Sequence, residues 1–453
     1  MKVTRSEPVL VHAAGDTPAP AAAEEYYFLS NLDQNVAVLM KTVHVFTSSS
    51  SSETPPRRGS AATVIRESLS TVLRSYYPFE GALAVRPDGR LAVRNARRGV
   101  PFVEAAADGE LREVTDDVSA PGAASAAAAV LVYVDDAAAS EENNPLEAPL
   151  LTVQVTSFAC GGFVLGLAMN HCLADGQSAA AFLRSWSEAA RGAPPSAAAP
   201  WLDRTLQRAR PVPTVGFAHD EFTEIEDVSG GLAAGAFGGS GAPTVYRSFT
   251  LDAGKLERLR IAASGGGDGA AASAAAMCST FVALTAFVWV ARTRALGMRP
   301  EQRSKLLFAV DVRRRVSPPL PDGFWGNAVV FACCISGAGD LVGGPLSAAA
   351  RSVRDAIART DDAFVRSAID YIEINRGARP SLTATTLVTA WNVLGLHTAD
   401  FGWGEAVHSG PAELPQKEVV LILRGVRDSR SRVLVVGLPP SCMQAFQEMV
   451  DQL

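Results

Sequence analysis

The order of apolar and polar residues predicts strands followed by a helix toward the end of the N-terminal half. Residues 151–158 alternate apolar and polar side chains, as a half-buried strand does, and residues 162–169 form the nearly continuous apolar run typical of a buried strand. In residues 177–190 the large apolar side chains recur at helical spacing and fall on one face. The sequence therefore predicts a strand–strand–helix unit here.

Similar patterns recur in both halves of the chain. Further strands are predicted at 37–46, 246–251, 305–312, 329–334, 418–423 and 432–438, and further helices at 61–75, 253–263 and 279–296. The apolar run at 281–291 is closed by Arg292 and Arg294 and is too short for a membrane span, so it indicates a buried helix. Strands and helices mix throughout, which predicts an α/β fold with mixed sheets.

Low-complexity segments divide the chain. Its 453 residues exceed the ~250–300 at which single cores stop growing, so two domains are expected. Residues 192–200 are rich in Ala and Pro, and Gly-rich chain continues to about residue 243. We predict an N-terminal domain at 1–192, a crossover loop at 193–243 and a C-terminal domain at 244–453. The serine run at 48–52 and the Gly- and Ala-rich stretch at 264–276 are predicted to be surface loops.

Composition and charge exclude several classes of protein. Apolar residues make up 48% of the chain, which is typical of a globular protein, and the net charge of -6 argues against nucleic acid as a partner. The six cysteines include no CxxC pair, so neither a disulfide framework nor a metal site is predicted. The N-terminus shows no signal-peptide pattern. We therefore expect a cytoplasmic protein without a membrane span. A monomer is also expected.

A histidine and an aspartate follow the predicted buried strand at a spacing of four residues. His171 and Asp175 lie in the segment MNHCLADGQS, between that strand and the next predicted helix. Histidine exchanges protons most readily near neutral pH, so a His at a strand end suits a general base. Asp175 either orients the imidazole or ties the turn to another element. The spacing alone fits a buried structural histidine equally well.

A second unusual segment is DFGWG at 400–404. Two glycines and two aromatic residues in five positions describe a tight, packed turn. Its residues Asp400, Gly402, Trp403 and Gly404 are therefore predicted to be structural. A serine hydrolase is not supported, because no GxSxG elbow precedes a helix.

The two motifs together, HCLADG at 171–176 and DFGWG at 400–404, resemble the BAHD acyltransferase family in order and separation. Shorter segments with counterparts in that family are LSNLDQ at 29–34, YYPFEG at 76–81, STF at 279–281, VDVRRR at 310–315 and FWGN at 324–327. The resemblance implies two chloramphenicol-acetyltransferase-like domains with mixed sheets flanked by helices and an active-site channel between them. It also implies an acyl-coenzyme A as co-substrate and no bound cofactor.

The resemblance implies a direct transfer with no acyl-enzyme. His171 would take the proton from the acceptor hydroxyl as that hydroxyl attacks the thioester, and would then give the proton to the departing thiolate. Asp175 would point away from the substrate and pair with an arginine. Arg313 is the predicted structural partner, and Arg315 is an equally compatible choice. Reactivity of Cys172 or Cys333 is left open.

Four further residues acquire roles by resemblance. Trp391 would supply an oxyanion-hole donor and Thr389 would line the acceptor side, although a core position explains Trp391 as well. Arg260 and Ser279 would contact the phosphates of coenzyme A. The alternatives are a solvated helix face for Arg260 and an ordinary N-cap for Ser279.

Segments 26–46, 396–411 and 437–446 most resemble the hydroxycinnamoyltransferases that act on ω-hydroxyacids and fatty alcohols. The resemblance implies a feruloyl or coumaroyl donor and a fatty hydroxyl acceptor of suberin or cutin type. Val393 stands where shikimate-using relatives carry an arginine, which argues against a small anionic acceptor. The alternatives are another alcohol or amine acceptor (shikimate, quinate or a polyamine), or a catalytically silent paralogue that only binds.

The remaining histidines are not predicted to act in chemistry. His397 is expected to brace the DFGWG turn. The others, read as surface or strand residues without a recognisable partner, are His12, His44, His219 and His408.

Overall fold

The structure is a computed structural model that describes residues 1–15, 25–47, 60–118, 130–135, 146–228, 244–265, 278–412, 418–425 and 428–453. The chain forms two compact units, each made of three segments. The first unit is Met1–Ala209, Pro319–Ala328 and Leu394–Glu413. The second unit is Arg210–Pro318, Val329–Val393 and Leu414–Leu453.

The secondary structure is numbered in chain order within the described residues. The strands are β1 (Val3–Arg5), β2 (Val9–Val11), β3 (Tyr26–Phe28), β4 (Leu39–Phe46), β5 (Ala82–Val85), β6 (Leu91–Arg94), β7 (Val100–Ala107), β8 (Leu151–Phe158), β9 (Phe163–Asn170), β10 (Val245–Leu251), β11 (Arg303–Asp311), β12 (Val329–Gly337), β13 (Thr385–Ala390), β14 (His408–Pro411), β15 (Val419–Arg424) and β16 (Arg432–Leu438). The α-helices are α1 (Asn31–Gln34), α2 (Ala61–Val72), α3 (Leu111–Val118), α4 (Gly176–Arg191), α5 (Ala253–Ser264), α6 (Thr280–Ala295), α7 (Ala338–Gly343), α8 (Leu346–Arg359), α9 (Asp362–Ile374) and α10 (Pro440–Asp451).

The first unit is built on a mixed seven-stranded sheet with the order β1-β7-β8-β9-β4-β14, in which β2 also pairs with β7. Strands β7 and β8 run parallel, and the other neighbours are antiparallel. Every residue of β9 before Asn170 is buried, because the apolar run predicted there faces protein on both sides of the sheet. A small antiparallel sheet, β3-β6-β5, completes this unit.

Helices α2 and α4 pack against each other in the first unit. The indole Nε1 of Trp186 on α4 donates to the carbonyl of Ile65 on α2 at 3.1 Å, which satisfies the only polar atom of a fully buried ring. The predicted helical face of 177–190 is thus the face that α4 buries. Burying it holds the N-terminus of α4 next to the end of β9.

The second unit contains a mixed six-stranded sheet with the order β10-β16-β15-β13-β11-β12. Strand β13 lies parallel to both β11 and β15. Helix α6 contacts α5, α8 and α10, and its residues are buried around nearly the whole circumference. The apolar run at 281–291 is therefore a buried helix, as the sequence predicts. Within the described residues no helix has the length and hydropathy needed to cross a membrane.

The α/β fold with mixed sheets flanked by helices is confirmed, and β8 and β16 have the predicted bounds. Other predicted elements shift by a few residues at their ends. Helices α8 and α9 were not predicted, although each of them buries one face. The serine run at 48–52, residues 266–276 of the predicted Gly- and Ala-rich loop, and residues 229–243 of the predicted crossover loop lie outside the described residues.

The division of the chain differs from the predicted continuous domains. Two segments beyond the crossover, 319–328 and 394–413, belong to the first unit. The second of them is held there because β14 pairs with β4. The DFGWG motif, predicted in the C-terminal domain, is therefore part of the same unit as His171. A pattern of local periodicity carries no information about such long-range strand pairing.

Candidate active site

His171 lies one residue beyond the end of β9. Its backbone N–H donates to the carbonyl of Val38 at 2.8 Å, which extends the pairing of β9 with β4 by one residue. A tight turn follows, in which the N–H of Ala174 donates to the carbonyl of His171 at 3.2 Å. The side chain is partly exposed. The sheet thus presents an imidazole at its rim and does not bury it in the core.

Asn327 fixes which nitrogen of the imidazole carries the proton. Its Nδ2 lies 2.9 Å from Asp33 Oδ1 and 2.8 Å from the carbonyl oxygen of His171. Both are acceptors, so the amide nitrogen faces them and the amide oxygen faces the ring. Because Asn327 Oδ1 only accepts, His171 Nδ1 is the donor across their 3.0 Å contact. The neutral ring then carries its lone pair on Nε2, for which the described part of the chain provides no hydrogen-bond partner.

Asp33 anchors Asn327. Its Oδ1 accepts from the backbone N–H of Asn327 at 2.9 Å, and its Oδ2 accepts from the backbone N–H and the hydroxyl of Ser30, each at 2.8 Å. The Nη1 of Arg204 lies 3.0 Å from Oδ1, and neither side chain is exposed to solvent. A carboxylate can be buried this completely only when it is fully hydrogen-bonded and paired. Burial is the largest single influence and acts to lower the pKa of the Arg204 guanidinium, but Asp33, Tyr27 and Cys172 together raise this pKa overall.

Asp175 is the N-cap of α4 and is buried. Its Oδ1 accepts from the N–H of Ser178 at 2.9 Å, and its Oδ2 accepts from the N–H of Ala328 at 3.0 Å. Ser178 Oγ in turn donates to the carbonyl of Gly326 at 2.9 Å. Two roles were considered for Asp175, and these contacts agree with the second, in which Asp175 links the turn to another segment. That segment is the FWGN stretch, which carries Asn327.

The two arginines considered as partners of Asp175 belong to the second unit. Arg313 Nη1 contacts Asp311 Oδ1 at 3.2 Å, and its pairing with Asp175 stays a prediction. Arg315 Nη1 donates to the carbonyls of Ile357 and Thr360 at 2.9 and 3.1 Å. Arg315 therefore serves the C-terminal end of α8, where a cation satisfies unpaired carbonyls.

The DFGWG motif forms a packed turn in the first unit. Asp400 Oδ1 accepts from the N–H groups of Gly402 and Gly404 at 2.7 and 2.9 Å, and both glycines have positive φ values of 107° and 86°. Phe401 meets Phe46 and Trp186 edge to face, and Trp403 meets Phe163 in the same way. Arg191 at the end of α4 pairs with Asp400 at 3.1 Å. These contacts hold a turn against the core. The backbone carbonyl of His397 also accepts from the N–H of Ala406 at 3.1 Å.

Thr389 and Trp391 lie at the C-terminal end of β13 in the second unit. The backbone N–H of Trp391 donates to the carbonyl of Ile422 at 2.9 Å, and its ring packs on the apolar cluster that includes Leu421 and Leu423. Both Thr389 and Trp391 are partly exposed. In the described residues the indole Nε1–H meets no acceptor, so it is available as a donor.

Arg260 and Ser279 are brought together in the second unit. Ser279 is the N-cap of the sixteen-residue helix α6, and its hydroxyl accepts from the N–H of Val282 at 3.2 Å. Arg260 Nε donates to the carbonyl of Cys278, the residue before the cap, at 2.9 Å, and its Nη1 pairs with Glu257 at 2.8 Å. The N-cap alternative for Ser279 is therefore observed. A cation beside a helix N-terminus is also an arrangement that binds phosphate.

The two cysteines left open are poor nucleophiles. Cys172 is fully buried beside His171, and burial raises the pKa of its thiol. Burial likewise raises the pKa of Cys333 to about 12. Since the thiolate is the reactive species, neither thiol is activated. Among the described residues no cluster of three His, Cys, Asp or Glu side chains is placed to hold a metal ion.

Three of the histidines set aside from chemistry, His44, His219 and His408, are buried, and the first two have side-chain hydrogen-bond partners. His44 on β4 contacts Ser409 at 3.0 Å, and burial, reinforced by the nearby His408, lowers the pKa of His44 to about 3. His219 lies between Glu221 at 2.7 Å and Ser367 at 2.9 Å. This Ser–His–Glu series resembles a hydrolase triad, but Ser367 is 1% exposed and its Oγ accepts the N–H of Gly216. The series therefore fastens the segment around residue 216 to α9.

His12 also has a partner, since it contacts Glu80 at 3.3 Å. The prediction that these histidines lack a recognisable partner was wrong for His12, His44 and His219. Their partners Glu80, Ser409 and Ser367 are distant in sequence. The same reason explains why Asn327, Asp33 and Arg204 were not singled out. The first two stand in the segments FWGN and LSNLDQ, whose match to the family was the available signal.

Comparison with known proteins extends these observations. A model of the Transferase family matches residues 1–453. The chain is 45% identical over 449 residues to the fatty alcohol:caffeoyl-CoA acyltransferase of Arabidopsis thaliana, covering 99% of this chain and 98% of the relative. It is 43% identical over 455 residues to the omega-hydroxypalmitate O-feruloyl transferase of the same plant, covering 100% and 93%.

Solved structures match the fold. Vinorine synthase superposes with a TM-score of 0.72 at 20% identity, covering 98% of this chain and 96% of that chain. The F. graminearum TRI101 structure complexed with ethyl coenzyme A gives a TM-score of 0.71 at 15% identity, covering 93% and 97%. At these identities the likeness concerns the fold. The family match and the two plant relatives confirm what the motifs indicated: this chain belongs to the BAHD family of acyltransferases.

Proposed function

We propose that the protein transfers a hydroxycinnamoyl group, such as feruloyl, caffeoyl or coumaroyl, from coenzyme A to the hydroxyl of a fatty alcohol or an ω-hydroxy fatty acid. The observation that carries the chemistry is the contact between His171 Nδ1 and Asn327 Oδ1 at 3.0 Å. It leaves Nε2 as the basic atom of a partly exposed imidazole. The substrate classes are supported by the relatives at 45% and 43% identity, whose names state them.

The proposed reaction begins at Nε2 of His171. This nitrogen takes the proton of the acceptor hydroxyl as the oxygen attacks the thioester carbonyl carbon, and a tetrahedral oxyanion forms. When the carbon–sulfur bond breaks, the imidazolium returns the proton to the coenzyme A thiolate, so the products are the ester and free coenzyme A. A positioned base of this kind contributes ~10²–10⁴ in rate. The inert Cys172 thiol supports direct attack without an acyl-enzyme.

Residues of the second unit are proposed to serve the two substrates. The available indole N–H of Trp391 would stabilise the oxyanion, a contribution worth ~2.7–4 kcal/mol for one such donor. Thr389, two residues earlier, would line the acceptor side. Arg260 and the N-cap Ser279 would contact a phosphate of coenzyme A, since a guanidinium and free helix N–H groups both favour anions. Asp175, paired with Arg313, would keep the His171 turn in place.

The acceptor is proposed to be apolar. Val393 is 67% exposed and offers no charge to a carboxylate near the end of β13. An anionic acceptor such as shikimate would need a guanidinium for bidentate binding. A long hydrocarbon chain needs only apolar surface, whose burial contributes ~0.8 kcal/mol per CH₂.

The physiological setting is proposed to be the synthesis of suberin or cutin esters by a cytoplasmic monomer. All six cysteines are free thiols, which suits a reducing compartment. Size-exclusion chromatography with light scattering tests the monomer, and imaging of a tagged protein in plant cells tests the compartment. A stable dimer or an organellar signal would contradict this part of the proposal.

A matrix of donors and acceptors tests the function. Feruloyl-, caffeoyl- and coumaroyl-CoA are each combined with ω-hydroxypalmitate, hexadecanol, shikimate and a polyamine, and thiol release and product mass are measured. We expect transfer to the two fatty acceptors and little to shikimate. Preferred transfer to shikimate or the polyamine would overturn the acceptor class, and no release in any pair would favour a silent binding protein.

A further inference from the structure

The predicted crossover loop contributes a fully buried arginine to the active-site segment of the first unit. Arg204 precedes the short 3-10 helix Thr205–Gln207, and its side chain has no exposure to solvent. The sequence predicts only a crossover loop there. Burial of the charge is tolerable because all three nitrogens of the Arg204 guanidinium find hydrogen-bond acceptors.

The guanidinium joins three separate segments. Its Nη1 and Nη2 donate to the carbonyls of Cys172 and Leu173, the two residues directly after His171, at 3.0 and 2.5 Å. Its Nη1 also pairs with Asp33 at 3.0 Å, and its Nε donates to the carbonyl of Trp325 at 3.2 Å. A planar guanidinium can donate to all of these acceptors at once, whereas the compact ammonium of a lysine cannot.

The surroundings leave the guanidinium no other position. It lies over the rings of Tyr27 and Trp325, with its central carbon 5.1 and 5.3 Å from their centroids. Against Gly326 the fit is so close that a Cβ on this glycine would lie 2.8 Å from Arg204 Nε. The FWGN glycine is therefore needed for the approach of the arginine.

We propose that Arg204 is a positioning residue for the general base. It fixes the backbone that follows His171, and through Asp33 it holds Asn327, which sets the protonated nitrogen of the ring. The inference rests on the proposed function of His171. A shift of the ring by an ångström is enough to cost ~10²-fold in rate, so Arg204 contributes to turnover in addition to stability.

A second buried arginine provides the matched control. Arg292 on α6 is 2% exposed and donates to the carbonyl of Thr385 at 2.8 Å. It belongs to the second unit, whereas Arg204 belongs to the first. Arg204→Lys and Arg292→Lys therefore each remove a buried guanidinium group. For Arg204→Lys we expect kcat to fall ~10–100-fold with both KM values within about threefold. For Arg292→Lys we expect a similar loss of melting temperature with kcat within about threefold.

Two glycine variants test the same idea without touching the arginine. Gly326→Ala forces the guanidinium away by its Cβ, whereas Gly343→Ala in α7 meets nothing within 4 Å. We expect Gly326→Ala to lower kcat as Arg204→Lys does, and Gly343→Ala to leave it unchanged. Equal kcat in all four variants, or kcat losses that follow only the loss of melting temperature, would overturn the proposal.

A readout without substrate separates this inference from the proposed function. Nitrogen-15 NMR of labelled histidines distinguishes the two neutral tautomers, and His171→Gln identifies the signal. We expect a single Nδ1-protonated form in the wild type and in Arg292→Lys, and a mixture in Arg204→Lys. An unchanged tautomer together with normal kcat in Arg204→Lys would refute the positioning role of Arg204. A wild-type protein that transfers no acyl group would refute the proposed function alone.

Discussion

Replacing Asn327 by alanine removes three hydrogen bonds from the catalytic turn at once. The side-chain Oδ1 no longer accepts from His171 Nδ1, and Nδ2 no longer donates to Asp33 or to the carbonyl of His171. The first loss affects the chemistry, because the ring can then protonate either nitrogen and can rotate. The other two losses affect mainly stability.

The magnitudes follow from these contacts. Two neutral hydrogen bonds at ~1 kcal/mol each and one to a carboxylate at ~1.5–3 kcal/mol give a destabilisation of about 3–5 kcal/mol. Asp33 keeps Ser30 and Arg204 as partners, so we expect a destabilisation at the lower end of this range. Losing the bond that favours the Nδ1–H tautomer, at about 1.4 kcal/mol, lowers the fraction of competent ring up to ~10-fold. A mobile ring costs about another 10-fold, so kcat should fall ~10–100-fold.

Thiol release from feruloyl-CoA with ω-hydroxypalmitate measures kcat and KM, and differential scanning fluorimetry measures the melting temperature. Asn375→Ala is the control, since within the described residues the side chain of this exposed asparagine at the end of α9 makes one hydrogen bond, to the carbonyl of Tyr371 at 3.0 Å. It should leave both quantities near the wild-type values. A folded Asn327→Ala protein with kcat within threefold of the wild type would show that turnover does not depend on the tautomer that Asn327 favours.

Three further predictions concern stability. Asp175→Ala removes an N-cap worth ~0.5–2 kcal/mol and leaves the N–H of Ala328 without its acceptor, which costs ~1–3 kcal/mol. The melting temperature should therefore fall along with activity. An unchanged melting temperature with no activity would make Asp175 directly catalytic. Asp400→Ala removes the acceptor of two partly buried N–H groups of the DFGWG turn and should lower the free energy of unfolding by ~1–3 kcal/mol. The value of kcat/KM per folded molecule, measured by active-site titration, should stay within a few-fold, and a selective loss of turnover would speak for a catalytic motif. Burial lowers the pKa of His44 to about 3 and that of His408 to about 4. Between these pKa values and ~6.5 the unfolded chain therefore binds more protons than the folded chain. As the pH drops below ~6.5, the free energy of unfolding measured with urea should fall by up to ~1.4 kcal/mol per pH unit for each histidine. A free energy of unfolding that does not change with pH would contradict the burial of these histidines in the neutral form.

Local patterns predicted the elements that carry the site. The apolar run at 162–169 gave β9, whose two faces are both buried. The alternation at 151–158 gave β8 with its correct bounds, but this strand is buried on nearly all of both faces and is not half-buried as the alternation indicated. The helical spacing after Asp175 gave α4, whose N-cap is that aspartate. His171 was therefore expected at a strand end, and it lies there. Family motifs then supplied the chemistry that a spacing of four residues could not.

Contacts between distant segments could not be predicted in this way. Asn327 meets His171 across more than 150 residues of chain, and Arg204 comes from a stretch whose composition resembled a linker. The DFGWG turn joined the first unit because β14 pairs with β4. In each case the deciding interaction is a buried polar group that needs a partner, and a single sequence does not state where that partner is.

The proposed mechanism depends on His171 removing the proton of the acceptor. This step is tested by the rate of thiol release by His171→Ala with feruloyl-CoA and ω-hydroxypalmitate, in a preparation whose circular dichroism and melting match the wild type. We expect a loss of at least ~10²-fold in kcat. Near-normal turnover in that folded variant would contradict it.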